Sequence, residues 1–320
     1  MISLRHLLFI FLSLLLLGSS APGAQVTLTA IADTALWQRE TNHNLGGSDL
    51  LIAGTTGSDG NASGRMLFKF DVASGLPPNA VIESATNYLR VVRAPSSAAN
   101  PAQLSTFSIR RILKPWGEGN KTYADSQAVM TSTTNATAGE ATWSQRFFGD
   151  DASRWIIPGG DLNDGDFEGT PSGDFFMQLG KDRDYTFPLN ATGLTDLREW
   201  LIRPELNFGW VLKSDSEGLY GTARIIASRE YATAAYRPQL TITYSLLNQA
   251  PLTITRNSSL AIVSFPAQAG TRYVPQFRSV VHAGPWTDLT ELGPLASAGV
   301  LQFTDNLPAN AERYFRVIIP

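Results

Sequence analysis

The chain has 320 residues, a formal net charge of −3 and no cysteine. The absence of cysteine excludes disulfides, thiolate metal sites and a cysteine nucleophile. The slightly negative charge, with no basic stripe, argues against a nucleic-acid partner, whose phosphates need to be neutralised by Lys and Arg.

Residues 1–24 have the three parts of a secretory signal peptide. Arg5 and His6 form a short basic region, residues 7–17 are almost wholly apolar, and residues 18–24 are mostly small. This apolar run is too short to cross a bilayer core of about 30 Å. No later segment is apolar enough to span a membrane. We therefore expect a protein that is secreted, or held at the cell surface, after cleavage of the signal peptide.

Short segments with alternating apolar and polar residues follow, separated by clusters of turn-forming residues. Two of them place three large apolar residues on one face: Met66, Phe68 and Phe70, then Phe208, Trp210 and Leu212. Period-two patterning over many short segments predicts an antiparallel β-sandwich. The predicted strands are 25–31, 65–71, 81–93, 104–113, 174–179, 185–189, 207–213, 223–229 and 239–244.

Residues 116–161 interrupt this pattern and carry three of the seven tryptophans, Trp116, Trp143 and Trp155. Loops longer than about 12–15 residues are often functional. Aromatic rings on a loop held by a rigid scaffold favour a binding surface. The alternative is that the tryptophans attach the loop to the sandwich.

One helix is predicted, at residues 192–203. Leu194, Leu197 and Leu201 fall on one face and Pro204 ends the pattern. We expect this helix to cover one end of the sandwich.

A short linker, 246–251, is predicted to separate a domain at 25–245 from a small β-sandwich at 252–320. The strands of this second unit are predicted at 252–255, 260–265, 273–281, 300–304 and 314–319. Two domains agree with the length of the chain.

Several motifs in residues 25–245 follow one another in the same order as in the sequences of a known protein family. They are Ala32-Asp33-Thr34, Asn44-Leu45-Gly46-Gly47, Trp116-Gly117-Glu118-Gly119, Ala141-Thr142-Trp143-Ser144-Gln145-Arg146, and Ala227-Ser228-Arg229-Glu230. This part of the chain resembles DNRLRE-type domains. The C-terminal unit resembles a fibronectin type III domain, through residues 260–265, 284–289 and 313–317.

The resemblance implies a jelly-roll β-sandwich related to a group of carbohydrate-binding modules on exported bacterial proteins. The expected function is therefore non-catalytic binding of a polysaccharide, or adhesion at the cell surface. Two alternatives stay open: a polysaccharide lyase or glycoside hydrolase on the same scaffold, and a structural surface protein without a sugar ligand. A partner could dock on the C-terminal unit.

The expected ligand-binding residues are Tyr123, Trp155, Trp143 and Trp116, because sugar rings stack on aromatic rings. The match at Trp116 and Trp143 favours a structural role for those two. Ligand selectivity is therefore expected in Tyr123, Trp155 and residues 120–139.

A structural calcium ion is the expected cofactor. Asp33 follows the first strand, where jelly-roll modules commonly place such an ion. Asn44, Asp49 and Glu230 would complete the site if the first and last strands of the domain pair. Alternatively, Asp33 accepts backbone hydrogen bonds in a turn.

Two further features of the sequence argue against catalysis and against a calcium site elsewhere in the chain. Only His43 and His282 follow the signal peptide, which excludes a multi-histidine metal centre, and no catalytic motif stands out. The acidic run after Phe148 departs from a calcium-binding EF-hand loop. We expect it to be a solvated loop.

Overall fold

The computed structural model describes residues 23–57, 61–95, 105–123, 134–163, 165–246, 252–256, 260–279, 285–297, 299–306 and 312–319. The predicted signal peptide, apart from its last two residues, lies outside this part. So do most of the predicted linker and residues 124–133 of the long loop.

The first part of the chain is built almost entirely from β-strands. They are β1 Ala24–Trp37, β2 His43–Asn44, β3 Leu50–Thr55, β4 Ser63–Phe70, β5 Ala80–Arg93, β6 Ser105–Arg111, β7 Thr134–Asn135, β8 Gly173–Met177, β9 Arg183–Pro188, β10 Trp210–Ser214, β11 Arg224–Ala227 and β12 Gln239–Leu246. Two α-helices lie among them, α1 Val72–Gly75 and α2 Ala191–Ile202.

Ten of these strands form a hydrogen-bonded array in two layers, all of whose pairings are antiparallel. One layer contains β9, β5, β12, β11 and β3, and the other contains β4, β10, β6 and β8. Two strands link the layers. The first half of β1 pairs with β12 and its second half with β4. β3 pairs with β11 and, through its last two residues, with β4. This arrangement confirms the predicted all-β sandwich. It also pairs β1 with β12, which was the condition for Asp33 and Glu230 to lie near each other.

The main core lies between the two layers. Met66, Phe68 and Phe70 of β4 are fully buried in it, on the single face that the alternation predicted. Leu67, between them, is also fully buried but belongs to a different cluster on the outside of the layer. β4 is therefore buried on both faces, which the period-two pattern alone does not reveal.

Phe208 departs from its predicted face. Trp210 and Leu212 point into the main core, whereas Phe208 packs against the outer cluster. Gly209 lies between them with a φ of +80°. This left-handed residue breaks the alternation just before β10 begins.

The long loop covers the outside of the layer that contains β4 and β10. Its residues join outward residues of that layer in a second apolar cluster, which we call the loop core: Leu36, Leu67, Ile112, Ala141, Trp143, Trp155, Phe167 and Val211. The loop is therefore a third layer of the structure.

The helix α2 lies where it was predicted, shifted by one residue. The Asn190 side chain caps it by accepting a hydrogen bond from the Gly193 N–H at 3.0 Å. Leu197 and Trp200 are fully buried. No helix in the described residues is long and apolar enough to cross a membrane.

The C-terminal part forms two three-stranded sheets. Their strands are β13 Thr253–Arg256, β14 Leu260–Ala267, β15 Val274–Arg278, β16 Thr287–Asp288, β17 Gly299–Asn306 and β18 Tyr314–Ile318. The sheets have the orders β13-β14-β17 and β16-β15-β18. A separate apolar cluster around Val263, Phe265 and Phe303 lies in this part. The likeness to a fibronectin type III domain and the division into two domains stay predictions.

Candidate functional site

Three carboxylates from distant parts of the sequence lie close together in the structure. Asp33 lies on β1, Glu118 on the long loop and Glu230 in the connection between β11 and β12. One carboxylate oxygen of each lies within 4.8 Å of the others. The pairing of β1 with β12 brings Asp33 close to Glu230, which precedes β12, and a hydrogen bond from the Asp33 backbone holds Glu118 of the loop beside them. We call these residues the carboxylate cluster.

Backbone and arginine donors hold the cluster. The Arg229 N–H donates to Asp33 Oδ2 at 2.8 Å, and the Asp33 N–H donates to Glu118 Oε1 at 2.8 Å. The Arg229 Nε lies 2.6 Å from Glu118 Oε1 and 2.9 Å from Glu230 Oε1. Three ionised carboxylates beside one guanidinium would leave two negative charges uncompensated.

The remaining oxygen of Asp33 lacks a donor. Asp33 is fully buried, and no hydrogen-bond partner of its Oδ1 lies in the described part of the chain. Burial, reinforced by the charge of Glu230, raises the pKa of Asp33 well above its ordinary value. Burial also raises the pKa of Glu230. Such a group needs a proton or a cation, so the donor set fits a divalent metal that prefers oxygen ligands.

Two of the predicted metal ligands are used elsewhere. The Asn44 side-chain amide donates to the backbone carbonyls of Glu118 and Ala141, at 2.8 and 2.9 Å, so Asn44 fixes the loop. The Asp49 carboxylate accepts a hydrogen bond from the Tyr123 hydroxyl. Of the four predicted ligands, the structure brings together only Asp33 and Glu230, which Glu118 joins; that these residues bind a metal stays a prediction.

The tryptophans of the long loop belong to the loop core or pack against it. Trp143 and Trp155 are 6% and 3% exposed, and Trp116 packs beside them. The Trp155 Nε1–H donates to the Thr142 carbonyl at 2.9 Å, and the Trp116 Nε1–H donates to the Phe208 carbonyl at 2.8 Å. These rings attach the loop to the sheet, which argues against their predicted role in stacking on a sugar.

Tyr123 is also largely buried and packs against the main core. Burial and the hydrogen bond to Asp49 raise the pKa of its hydroxyl. Its ring and its hydroxyl therefore both have partners within the protein, which weakens the prediction that it contacts a ligand.

The acidic run after Phe148 includes one fully buried carboxylate. Asp166 accepts hydrogen bonds from the backbone N–H groups of Ile156 and Asp161, at 2.7 and 2.9 Å. The Lys114 Nζ lies 3.1 Å from its other oxygen. Asp166 therefore organises the turn, and it is not the solvated residue that the sequence predicted. Asp164 lies outside the described residues.

One sheet face is polar and open. It is formed by β9, β5, β12 and the first half of β1, and its inward residues, such as Leu89, Leu240 and Ile242, are buried in the main core. We call the outward face the polar platform. Its residues are half-buried or exposed: Gln25, Thr27, Thr29, Thr86, Tyr88, Arg90, Asp184, Thr186, Gln239, Thr241 and Thr243.

One corner of the platform is held by its own contacts. The Tyr88 hydroxyl donates to Asp184 Oδ1 at 2.7 Å, and the Arg90 Nη1 donates to the same oxygen at 3.0 Å. The Arg90 guanidinium lies 4.5 Å from the centroid of the Tyr236 ring. The hydrogen bond from Tyr88, followed by Arg90, lowers the pKa of Asp184. This corner was not among the predicted sites, although the alternation at residues 84–92 places Tyr88 and Arg90 on one face.

No protein-family model matches this chain. No curated protein matches it in sequence either. The resemblance to DNRLRE-type domains therefore stays a prediction.

Proposed function

We propose that this protein is an exported, non-catalytic carbohydrate-binding protein that acts outside the cell or at its surface. The observation that carries the proposal is the polar platform with its fixed corner of Tyr88, Arg90 and Asp184. The platform, and not the tryptophans predicted from the sequence, is the proposed binding surface, because the tryptophan rings pack in or against the loop core.

The chemistry of the platform suits the hydroxyl groups of sugars. Threonine hydroxyls both donate and accept hydrogen bonds, and Gln25 and Gln239 add amide groups. Four adjacent strands make a face about 14 Å wide. Several groups are already oriented, since the hydroxyls of Thr27 and Thr241 lie 2.9 Å apart. Groups that are fixed before binding lose little entropy when a ligand arrives.

A structural cation at the carboxylate cluster is a second part of the proposal. Asp33, Glu118 and Glu230 would supply its negatively charged ligands, and calcium suits an all-oxygen site with 6–8 ligands. The cation would neutralise the cluster and tie the long loop to β1 and to the segment after β11. Its role would be structural, because Asp33 is buried.

The proposal is tested by retention of residues 25–320 on a panel of insoluble and anionic polysaccharides, with product release assayed in parallel. We expect retention without product. Release of reducing ends or unsaturated uronates would show a hydrolase or a lyase instead. If the protein is not retained and no product is released, a structural surface protein without a sugar ligand is favoured.

Variants of the platform locate the binding site. Thr241→Val and Tyr88→Phe each remove one outward hydroxyl at nearly constant volume, and each is expected to weaken retention about two- to tenfold. Thr106→Val, on β6 in the other layer, is the matched control and should bind like the natural protein. Equal losses in all three variants would contradict a site on the platform.

A further inference from the structure

Two arginines of the C-terminal unit lie against the same indole ring. Arg278 of β15 and Arg316 of β18 each place the guanidinium carbon 4.4 Å from the centroid of the Trp286 ring. Both project from the sheet face opposite the core, because the neighbouring Phe315 and Val317 pack into the C-terminal cluster. Trp286 is half-buried, so part of this arrangement is open to solvent.

Hydrogen bonds fix the position of Arg316. Its Nε donates to Gln276 Oε1 at 2.6 Å, and the Gln276 Nε2 donates to Asp288 Oδ1 at 2.5 Å. Within the residues that the structure describes, no carboxylate oxygen lies within 4.0 Å of an Arg316 guanidinium nitrogen. Burial and the neighbouring charge of Arg278 lower the pKa of Arg316. The two cations are thus held close together without direct neutralisation of Arg316.

We propose that this face, formed by Arg278, Trp286 and Arg316, binds a polysaccharide that carries carboxylate groups. A guanidinium fork matches a carboxylate in shape and charge, and a bound carboxylate would relieve the repulsion between the two arginines. Tyr314, which lies opposite Arg278 in the pairing of β15 with β18, supplies apolar surface for the C–H groups of a sugar ring. The choice of a sugar polymer over an acidic peptide rests on the proposed carbohydrate-binding function.

The distribution of charge favours this face over the polar platform for an anionic polymer. Residues 252–320 contain five arginines and four acidic residues, whereas residues 25–251 contain 19 basic and 24 acidic residues. On the platform, Arg90 is already paired with Asp184 at 3.0 Å. An anionic chain is therefore repelled by the larger unit and attracted to the arginine face.

The test uses residues 25–320 and polygalacturonate, with the carboxyl-reduced form of the same polymer as its neutral counterpart. Arg278→Gln and Arg316→Gln are each expected to weaken binding of polygalacturonate about tenfold, as for the loss of one charge-assisted hydrogen bond. Arg316→Lys should recover part of that loss. Arg272→Gln, which removes an exposed arginine paired with Glu291 in the same unit, is the matched control and should bind normally.

Three outcomes would overturn the proposal. Equal binding of the carboxyl-reduced polymer would show that carboxylates are not recognised. An equal loss in Arg272→Gln would show diffuse attraction by charge. Equal or tighter binding of poly-glutamate would assign the face to an acidic protein. Thermal melts establish that each variant is folded. Thr241→Val reports separately on the platform, so failure of this proposal and failure of the proposed function are distinguishable.

Discussion

Asp33 is a buried acid with one oxygen that lacks a hydrogen-bond donor. Burying an ionised carboxylate without a partner is strongly unfavourable. The Asp33–Glu230 pair can avoid this cost by holding a proton between the two carboxyl groups, or all three carboxylates of the cluster can share a divalent cation. Replacing Asp33 with asparagine distinguishes the two states. Asparagine resembles a protonated acid, so it should be tolerated if a proton is shared. It carries no negative charge, so it should weaken the binding of a cation.

Chelation should therefore lower the melting temperature of the natural protein if a cation is bound. Saturation at a hundred times the dissociation constant stabilises a protein by about 2.7 kcal/mol. Asp33→Asn should abolish the response to chelator and to added calcium, measured by calorimetry. Asp49→Asn is the matched control and should keep the response, because Asp49 is paired with Tyr123. If chelator leaves the melting temperature of the natural protein unchanged, the bound cation is excluded and the shared proton is the state that explains the cluster.

Asp196 should make the stability depend on pH. Its Oδ2 accepts hydrogen bonds from Ser172 Oγ and Trp210 Nε1, at 2.5 and 2.9 Å. Burial nevertheless raises its pKa from 3.8 to about 6. Between pH 4 and pH 6 the unfolded state releases a proton that the folded state keeps, so stability falls as pH rises through this window. The loss is on the order of 3 kcal/mol and persists above pH 6.

Asp196→Asn should flatten that part of the pH profile of the free energy of unfolding, measured with urea. Asp184→Asn gives a contrast of opposite sign. The pKa of Asp184 is lower in the folded than in the unfolded state, so its ionisation stabilises the fold at pH values above the unfolded-state pKa. This contribution is lost as pH falls through the folded-state pKa. A profile that Asp196→Asn leaves unchanged would show that Asp196 ionises in the fold as it does in water.

At the residue scale, the sequence predicted two of the three residues of the carboxylate cluster. Asp33 and Glu230 follow from the pairing of β1 with β12, which the strand pattern allows. Glu118 reaches the cluster from a loop without periodicity, so its position could not be predicted from spacing. Asn44 and Asp49 lie near in sequence, but their polar atoms are used by the backbone and by Tyr123.

At the scale of elements, the long loop is a covering layer anchored by large aromatic residues. Trp155 packs beside Phe167, with ring centroids 5.4 Å apart. Trp155→Ala should lower the free energy of unfolding by about 3–5 kcal/mol, the cost typical of a buried aromatic residue. The next residue, Ile156, is 57% exposed. Ile156→Ala should therefore change the free energy of unfolding by no more than about 0.5 kcal/mol.

The same pair of variants separates anchoring from binding. Under conditions where both are folded, Trp155→Ala and Ile156→Ala should bind polysaccharide equally. A loss of binding in Trp155→Ala without a loss of stability would restore the role in ligand binding that the sequence predicted for this residue.

Most elements were predictable because alternation survives wherever only one face of a strand is buried. The alternation gave the wrong face for Phe208. Gly209 takes a left-handed conformation there, so Phe208 lies on the opposite face of the layer from Trp210 and Leu212. The loop core could not be predicted, because its members are scattered from Leu36 to Val211 and follow no period. An aromatic loop that covers a sheet and one that binds a ligand have the same composition.

At the scale of the molecule, the two outer faces of the sandwich differ. The long loop covers the layer with β4 and β10, and its tryptophans are buried there. In the other layer, β9, β5, β12 and the first half of β1 keep their outward side chains half-buried or exposed. A ligand that needs a broad sheet face therefore has the polar platform available to it, whereas the opposite face is occupied by the protein itself.

The two parts of the chain should also fold separately. In the described residues, the main core and the loop core draw on positions up to 244, and the C-terminal cluster draws on positions from 252. A protein ending at residue 246 should therefore melt cooperatively and keep the response of the carboxylate cluster to chelator, because Asp33, Glu118 and Glu230 all lie within it. It should also lose binding to polygalacturonate while it keeps binding at the platform. A truncated protein that aggregates, or melts without a cooperative transition, would show that the C-terminal unit is needed for the sandwich to fold.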